Sequence, residues 1–171
     1  MVTMAEQKGL VPGWPLALFR IAFGLLYLDM AWQKAPWIQF GWLEGWINQE
    51  IAHPTFPWYA ALLKDVVLPN FAFFGTMTFV TELALGLSLL FGMLTRVAGL
   101  GGFLWQVNIA LGAFNVPGEW YWIWPLLMLP QFCFAFSGAG RVWGLDRWLE
   151  PALRRRAADG TGWPRLLGYA V

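Results

Sequence analysis

Four apolar runs divide the chain, and each predicts one membrane-spanning helix. They cover about Trp14–Trp32, Phe71–Phe91, Val97–Phe114 and Trp120–Phe136. The second, FAFFGTMTFVTELALGLSLLF, makes a rod of roughly 31 Å, the thickness of a bilayer's hydrocarbon core. Between the first and second runs lies a long connection broken by Pro36, Pro54, Pro57 and Pro69. Within it Trp42, Leu43, Trp46, Ile47 and Ile51 recur at helical spacing, which predicts an amphipathic helix lying on the membrane surface. WYAALLKDVV, before Pro69, reads as a second such segment. Gly92–Arg96 is long enough only for a turn between antiparallel helices. Pro125 and Pro130 are expected to kink the fourth span. The fold class expected is all-α: one transmembrane domain over residues 1–171, a four-helix bundle with a surface helix in its first outer loop.

Charge placement sets the orientation. With both termini in the cytoplasm, Lys8, Arg96, Arg141, Arg147, Arg154, Arg155, Arg156 and Arg165 lie inside, and only Lys34 and Lys64 lie outside. That bias predicts four spans in the cytoplasmic (inner) membrane, with a basic cytoplasmic tail over 141–171. Composition agrees. The chain is 58% hydrophobic and only 12% charged, against about 25% charged in soluble domains. The 13 Trp suit membrane–water interfaces. A net charge of +1 argues against nucleic-acid binding. One cysteine, Cys133, excludes an intrachain disulfide, and one histidine, His53, excludes a bis-His haem within the chain. The first apolar run has no small-residue cleavage site and is expected to be retained. No metal-ligand spacing, phosphate loop or complete catalytic constellation is visible.

Against this apolar background a few polar residues stand out. Gly75, Thr78, Glu82 and Gly86 fall on one face of the second span; Gly99, Gly102, Gln106 and Ala110 fall on one face of the third. Small residues let helices approach closely in lipid. Glu82 and Gln106 are expected at the same depth on facing stripes, with Gln131 of the fourth span and Arg20 of the first near them. These four residues define an expected polar layer. It reads as an interhelical staple, as a polar wall for a small molecule such as a quinone, or as a proton or ion path. Asp29 and Lys34 read as an interfacial pair. Trp37, Trp42 and Trp46 read as interface anchors or as a docking surface for a partner.

The segment ELALGLSLLFGMLTRVAGLGG, Glu82–Gly102, resembles the central signature of the DoxX/DoxD family of small four-span membrane proteins. Arg20, Gly24 and Lys34 resemble that family's opening; Gly138, Ala139, Gly140, Arg141 and Asp146 resemble its close. Asp29 and the Trp-rich loop over 36–58 lie outside this pattern and point to a specialised partner. The resemblance implies a membrane subunit of a quinone-linked redox system, such as the DoxD-like subunit of thiosulfate:quinone oxidoreductase. The expectation is an accessory subunit of an electron-transfer complex that interacts with a quinone. Its partners would be lipids and other membrane subunits, and electrons would come from a partner. Two alternatives stay open: a quinone-reducing subunit, and a purely structural docking subunit of a respiratory or photosynthetic complex.

Overall fold

A computed structural model of the chain describes residues 13–159. Expectations for residues 1–12, including Lys8, and for 160–171, including Arg165, lie outside the described residues. Among the described residues the regular structure is helical, with no strand.

The first long helix, α1, is Trp14–Gln33. Pro15 sits in its first turn, where a missing N–H costs nothing. Pro36 ends its path through a 3₁₀ turn, Pro36–Ile38. Three left-handed residues follow, Gln39, Phe40 and Gly41, with φ of 55°, 60° and 55°. They fold the chain back into α2, Leu43–Ala52, the expected surface helix. The next helix, α3, is Pro57–Leu62. It widens into a π turn, Leu63–Val67, and a 3₁₀ turn, Leu68–Asn70, then enters α4, Phe71–Phe91. The WYAALLKDVV segment is therefore not separate from the second span. Pro69 lacks the N–H that a regular helix would need, and the chain passes it by widening just before it and tightening around it instead of stopping.

Helix α4 ends at Gly92, whose φ of 60° favours glycine. Met93 N–H closes the cap on the Ser88 carbonyl at 2.9 Å. Helix α5 is Thr95–Ala113 and α6 is Ile123–Ser137. Pro125 lies in the first turn of α6, where proline is tolerated, so only Pro130 interrupts that helix. The segment after α6 is more ordered than a tail. A 3₁₀ turn, Ala139–Arg141, leads to α7, Asp146–Asp159.

The long helices pack as two pairs, α1 with α4 and α5 with α6. Glycines set both contacts. A Cβ on Gly24 would lie 2.5 Å from the Leu90 backbone nitrogen, and one on Gly86 would lie 2.8 Å from Leu28. A Cβ on Gly99 would lie 2.6 Å from the Gln131 carbonyl oxygen. The two small-residue stripes thus meet different partners: that of α4 faces α1, and that of α5 faces α6. They were expected to face each other. Phe23, Tyr27, Leu85, Leu89 and Phe134 form the core where the pairs join.

Among the described residues, two helical stretches, α1 and the path Pro57–Phe91, are long and apolar enough to cross a bilayer; α6 is apolar but shorter. Leu25, Phe73, Val80, Leu104, Leu129 and Phe136 point outward, so the long helices present apolar flanks.

A polar cavity beneath the Trp-rich loop

The expected polar layer divides in two. Arg20 is fully buried but does not approach Glu82. From the first turns of α1, its guanidinium donates to the Leu89 carbonyl, to Leu90 O at 3.2 Å, to Val142 O at 3.3 Å and to Trp143 O at 3.2 Å. Those carbonyls include the last of α4, which have no intrahelical donor. Beside it, Asp146 accepts from Leu94 N–H at 2.7 Å and Thr95 N–H at 2.9 Å, capping α5 from a distant part of the chain. Arg20 and Asp146 tie one end of the bundle together.

Glu82 finds a different partner. Lys34, one residue past α1, donates to Glu82 Oε1 at 2.6 Å. Lys34 is 2% exposed and Glu82 0%. Lys34 is therefore not an interfacial mate for Asp29, which instead accepts from Gln33 at 2.6 Å. Two turns deeper along α1, Tyr27 links three helices. Its hydroxyl donates to Gln131 Oε1 at 2.9 Å and accepts from Gln106 Nε2 at 3.1 Å. Gln106 and Gln131 thus come together as expected, but through a tyrosine.

The Lys34–Glu82 pair and Gln106 border a cavity of about 1000 Å³. Helix α2 covers it, and Tyr59 and Leu63 add a wall packed on Ile47. Met30, Phe74, Met77 and Leu127 supply apolar lining. Four polar atoms of lining residues are buried without a close protein partner: Glu82 Oε2, Trp105 Nε1, Gln106 Oε1 and Trp124 Nε1, although the Trp105 indole lies near enough to Glu82 to interact with it. Such orphans are uncommon in folded proteins. Two are donors and two are acceptors.

The cover is itself polar on its inner face. Trp46 Nε1 donates to Glu50 Oε1 at 2.9 Å, and both residues line the cavity. Glu50 is 5% exposed. Burial pushes its carboxyl up to about 7, outweighing the Trp46 N–H that pulls it down. Tyr59 donates to Asn108 Oδ1 at 3.2 Å, and Thr55 to the Gly112 carbonyl at 3.0 Å; these bonds fasten the connection to α5. Trp42 lies under Lys34, with Nζ 5.0 Å from its ring, and donates to Gln33 at 3.1 Å. Of the three tryptophans read as docking residues, Trp42 and Trp46 belong to the cavity wall. Trp37 is 63% exposed and packs edge-on to Trp32 and Phe79.

A family model described as TQO small subunit DoxD matches residues 14–159. The chain belongs to the DoxD family. It is accordingly a membrane protein. No solved structure matches it. The three motifs of the DoxD resemblance have distinct places. Arg20, Thr95, Gly140 and Asp146 meet at the tied end, where a Cβ on Gly140 would lie 2.1 Å from Asp146 Oδ2. Glu82 and Lys34 sit at the cavity.

Several residues of the site escaped the sequence reading: Tyr27, Glu50, Trp105, Asn108, and Lys34 as the mate of Glu82. One signal was available. Arg20, Tyr27 and Lys34 are spaced by seven, which places all three along one face of α1.

Proposed function

We propose that the chain is the quinone-binding membrane subunit of an oxidoreductase of the thiosulfate:quinone type, with α1, α4, α5 and α6 crossing the cytoplasmic membrane. In this reading both termini are cytoplasmic, and the cavity lies toward the outer face. The observation that carries it is the cavity itself: apolar walls, indole rings, and buried donors and acceptors with no close protein partner. A quinone ring needs this combination. Its faces are apolar and can stack on Trp46 or Trp105, while its two carbonyl oxygens seek donors such as Lys34 Nζ and the indole N–H groups. The charges favour a neutral ligand. Among the described residues, Glu50, Glu82 and Glu119 line the cavity against one cation, Lys34. A dianion such as thiosulfate is repelled there, so thiosulfate oxidation belongs to a partner subunit. Lys34 orients the ring, Glu82 keeps Lys34 in place, and the quinone's two electrons arrive from that partner.

A purely structural docking role is the second reading. Exposed Trp37 and Trp32 on the flank of α1 favour it.

Quinone binding decides between them. Decylubiquinone added to the purified chain will quench tryptophan fluorescence, because four indoles line the cavity. Replacing both members of the ion pair, Lys34→Met with Glu82→Met, removes the polar wall without leaving a buried lone charge. That variant will stay folded and bind decylubiquinone at least tenfold more weakly. A wild-type chain that does not quench, or a double variant that quenches equally, removes the quinone reading.

A further inference from the structure

Glu50 is a buried acid that neither the ion pair nor the tied end uses. It sits on the inner face of α2, the cover of the cavity, with its carboxylate wedged against α5. A Cβ on Gly112 would lie 2.5 Å from Glu50 Oε2, so the bare glycine makes the space for this acid. The groups around it can be named. Trp46 donates from its own helix. Tyr59 faces it from α3; Asn108 and Gly112 belong to α5; Glu119 belongs to the connection after α5; Lys34 and Glu82 line the same cavity, bound to each other. Among the described residues no cation contacts Glu50, unlike Glu82 or Glu150. A buried carboxyl without a counter-charge holds its proton to higher pH, and here the value is pushed up to about 7. An acid poised near operating pH is suited to giving and regaining a proton.

We infer that Glu50 is the proton-exchanging acid of the cavity, passing protons between water on the side of the 34–70 connection and the bound quinone. The inference rests on the quinone reading above. Reduction of the ring takes two electrons and two protons. The electrons come from a reduced sulfur anion oxidised on a partner subunit. Each C=O bond becomes a C–O single bond, and each oxygen forms an O–H bond. One proton leaves the Glu50 carboxyl, whose O–H bond breaks. The other follows by the same route once Glu50 has regained a proton, while Lys34 stays charged against Glu82. Glu50 is reprotonated from water at the covered end. The protons are therefore consumed on the face of the membrane that carries α2.

The test uses the purified chain in lipid nanodiscs with decylubiquinone reduced through a soluble mediator. Glu50→Gln keeps size and hydrogen bonding but cannot release a proton. Decylubiquinone will bind it with unchanged affinity. The rate of quinol formation will fall roughly a hundredfold, and the break in the rate's pH profile near 7 will disappear. Glu50→Asp will recover part of the rate. An infrared difference spectrum between oxidised and reduced states will lose one carboxyl band in Glu50→Gln. Unchanged rate, profile and carboxyl bands in a variant that still binds decylubiquinone overturn the relay while sparing the quinone site. A wild-type chain that binds no decylubiquinone overturns both.

Discussion

The two ends of this bundle bury charge in opposite ways. At the tied end, the Arg20 guanidinium donates to four backbone carbonyls and Asp146 accepts from two backbone N–H groups. Those partners are main chain and cannot rotate away; Arg20 Nε and Thr95 Oγ1 stay unpartnered there, but neither borders the large cavity. No cavity on the scale of the other end opens there among the described residues. At the covered end, Lys34 and Glu82 bind each other, and four polar atoms of cavity-lining residues lack close protein partners. Charges bonded to backbone lock helices together. Charges that keep bonding capacity beside a cavity are the ones left for a ligand.

That contrast can be broken most severely at Arg20. Arg20→Met removes the guanidinium's four bonds to the Leu89, Leu90, Val142 and Trp143 carbonyls, of which Leu89 O keeps only its contact with Gly92 N–H. A loss of about 3–5 kcal/mol is expected, read as a large fall in thermal midpoint in detergent. Quinone affinity of the remaining folded molecules will not change. The next effect concerns the pair. Glu82→Gln alone strands the Lys34 ammonium and will cost about 3 kcal/mol, whereas the double methionine variant will return to within about 1 kcal/mol of wild type. Equal losses in both would mean that Lys34 has another anchor.

A smaller effect depends on pH. The Glu50 carboxyl has a higher affinity for its proton when folded, near 7, than its ordinary value of 4.5. A raised carboxyl pKa contributes its full stability below the unfolded value and loses it as pH rises through the folded one. The wild-type melting temperature will therefore drop by a few degrees relative to Glu50→Gln between pH 5 and pH 8, an effect of about 1–3 kcal/mol. The smallest effect is at the cap. Asp146→Ala exposes two unsatisfied N–H groups at the start of α5 and will cost about 1 kcal/mol by thermal melting. A loss as large as that of Arg20→Met would show that the tied end melts as one unit.

The chain of residues carried much of this, and its failures have causes. The second apolar run coincides with α4, Phe71–Phe91, because the flanking asparagine and glycine bound an uninterrupted apolar stretch. The fourth run begins late, at Ile123, because Trp120 and Trp122 stack on each other before the helix starts. Glu82 was visible as an anomaly, but its mate was not. Arg20 was the nearer candidate by depth, whereas antiparallel packing of α1 on α4 carries the end of α1 past Glu82. Glu50 was invisible because one acid on an amphipathic surface helix looks solvated; only the placement of α2 over α5 turns that face inward. Helix α7 was hidden in a segment rich in arginine and alanine, where charge drew attention from periodicity.

The elbow at Gln39, Phe40 and Gly41 has one more implication. Left-handed backbone costs a non-glycine residue roughly 1–2 kcal/mol, and here two such residues stand in a row. Phe40 is held by its ring, which packs edge-on to Phe71 and fills the space where Gly75 has no side chain. The roof is thus hung from the wall by a single aromatic peg. Any bulk added at position 75 would push that peg out and tilt the roof, altering entry to the chamber from a residue that never touches its contents.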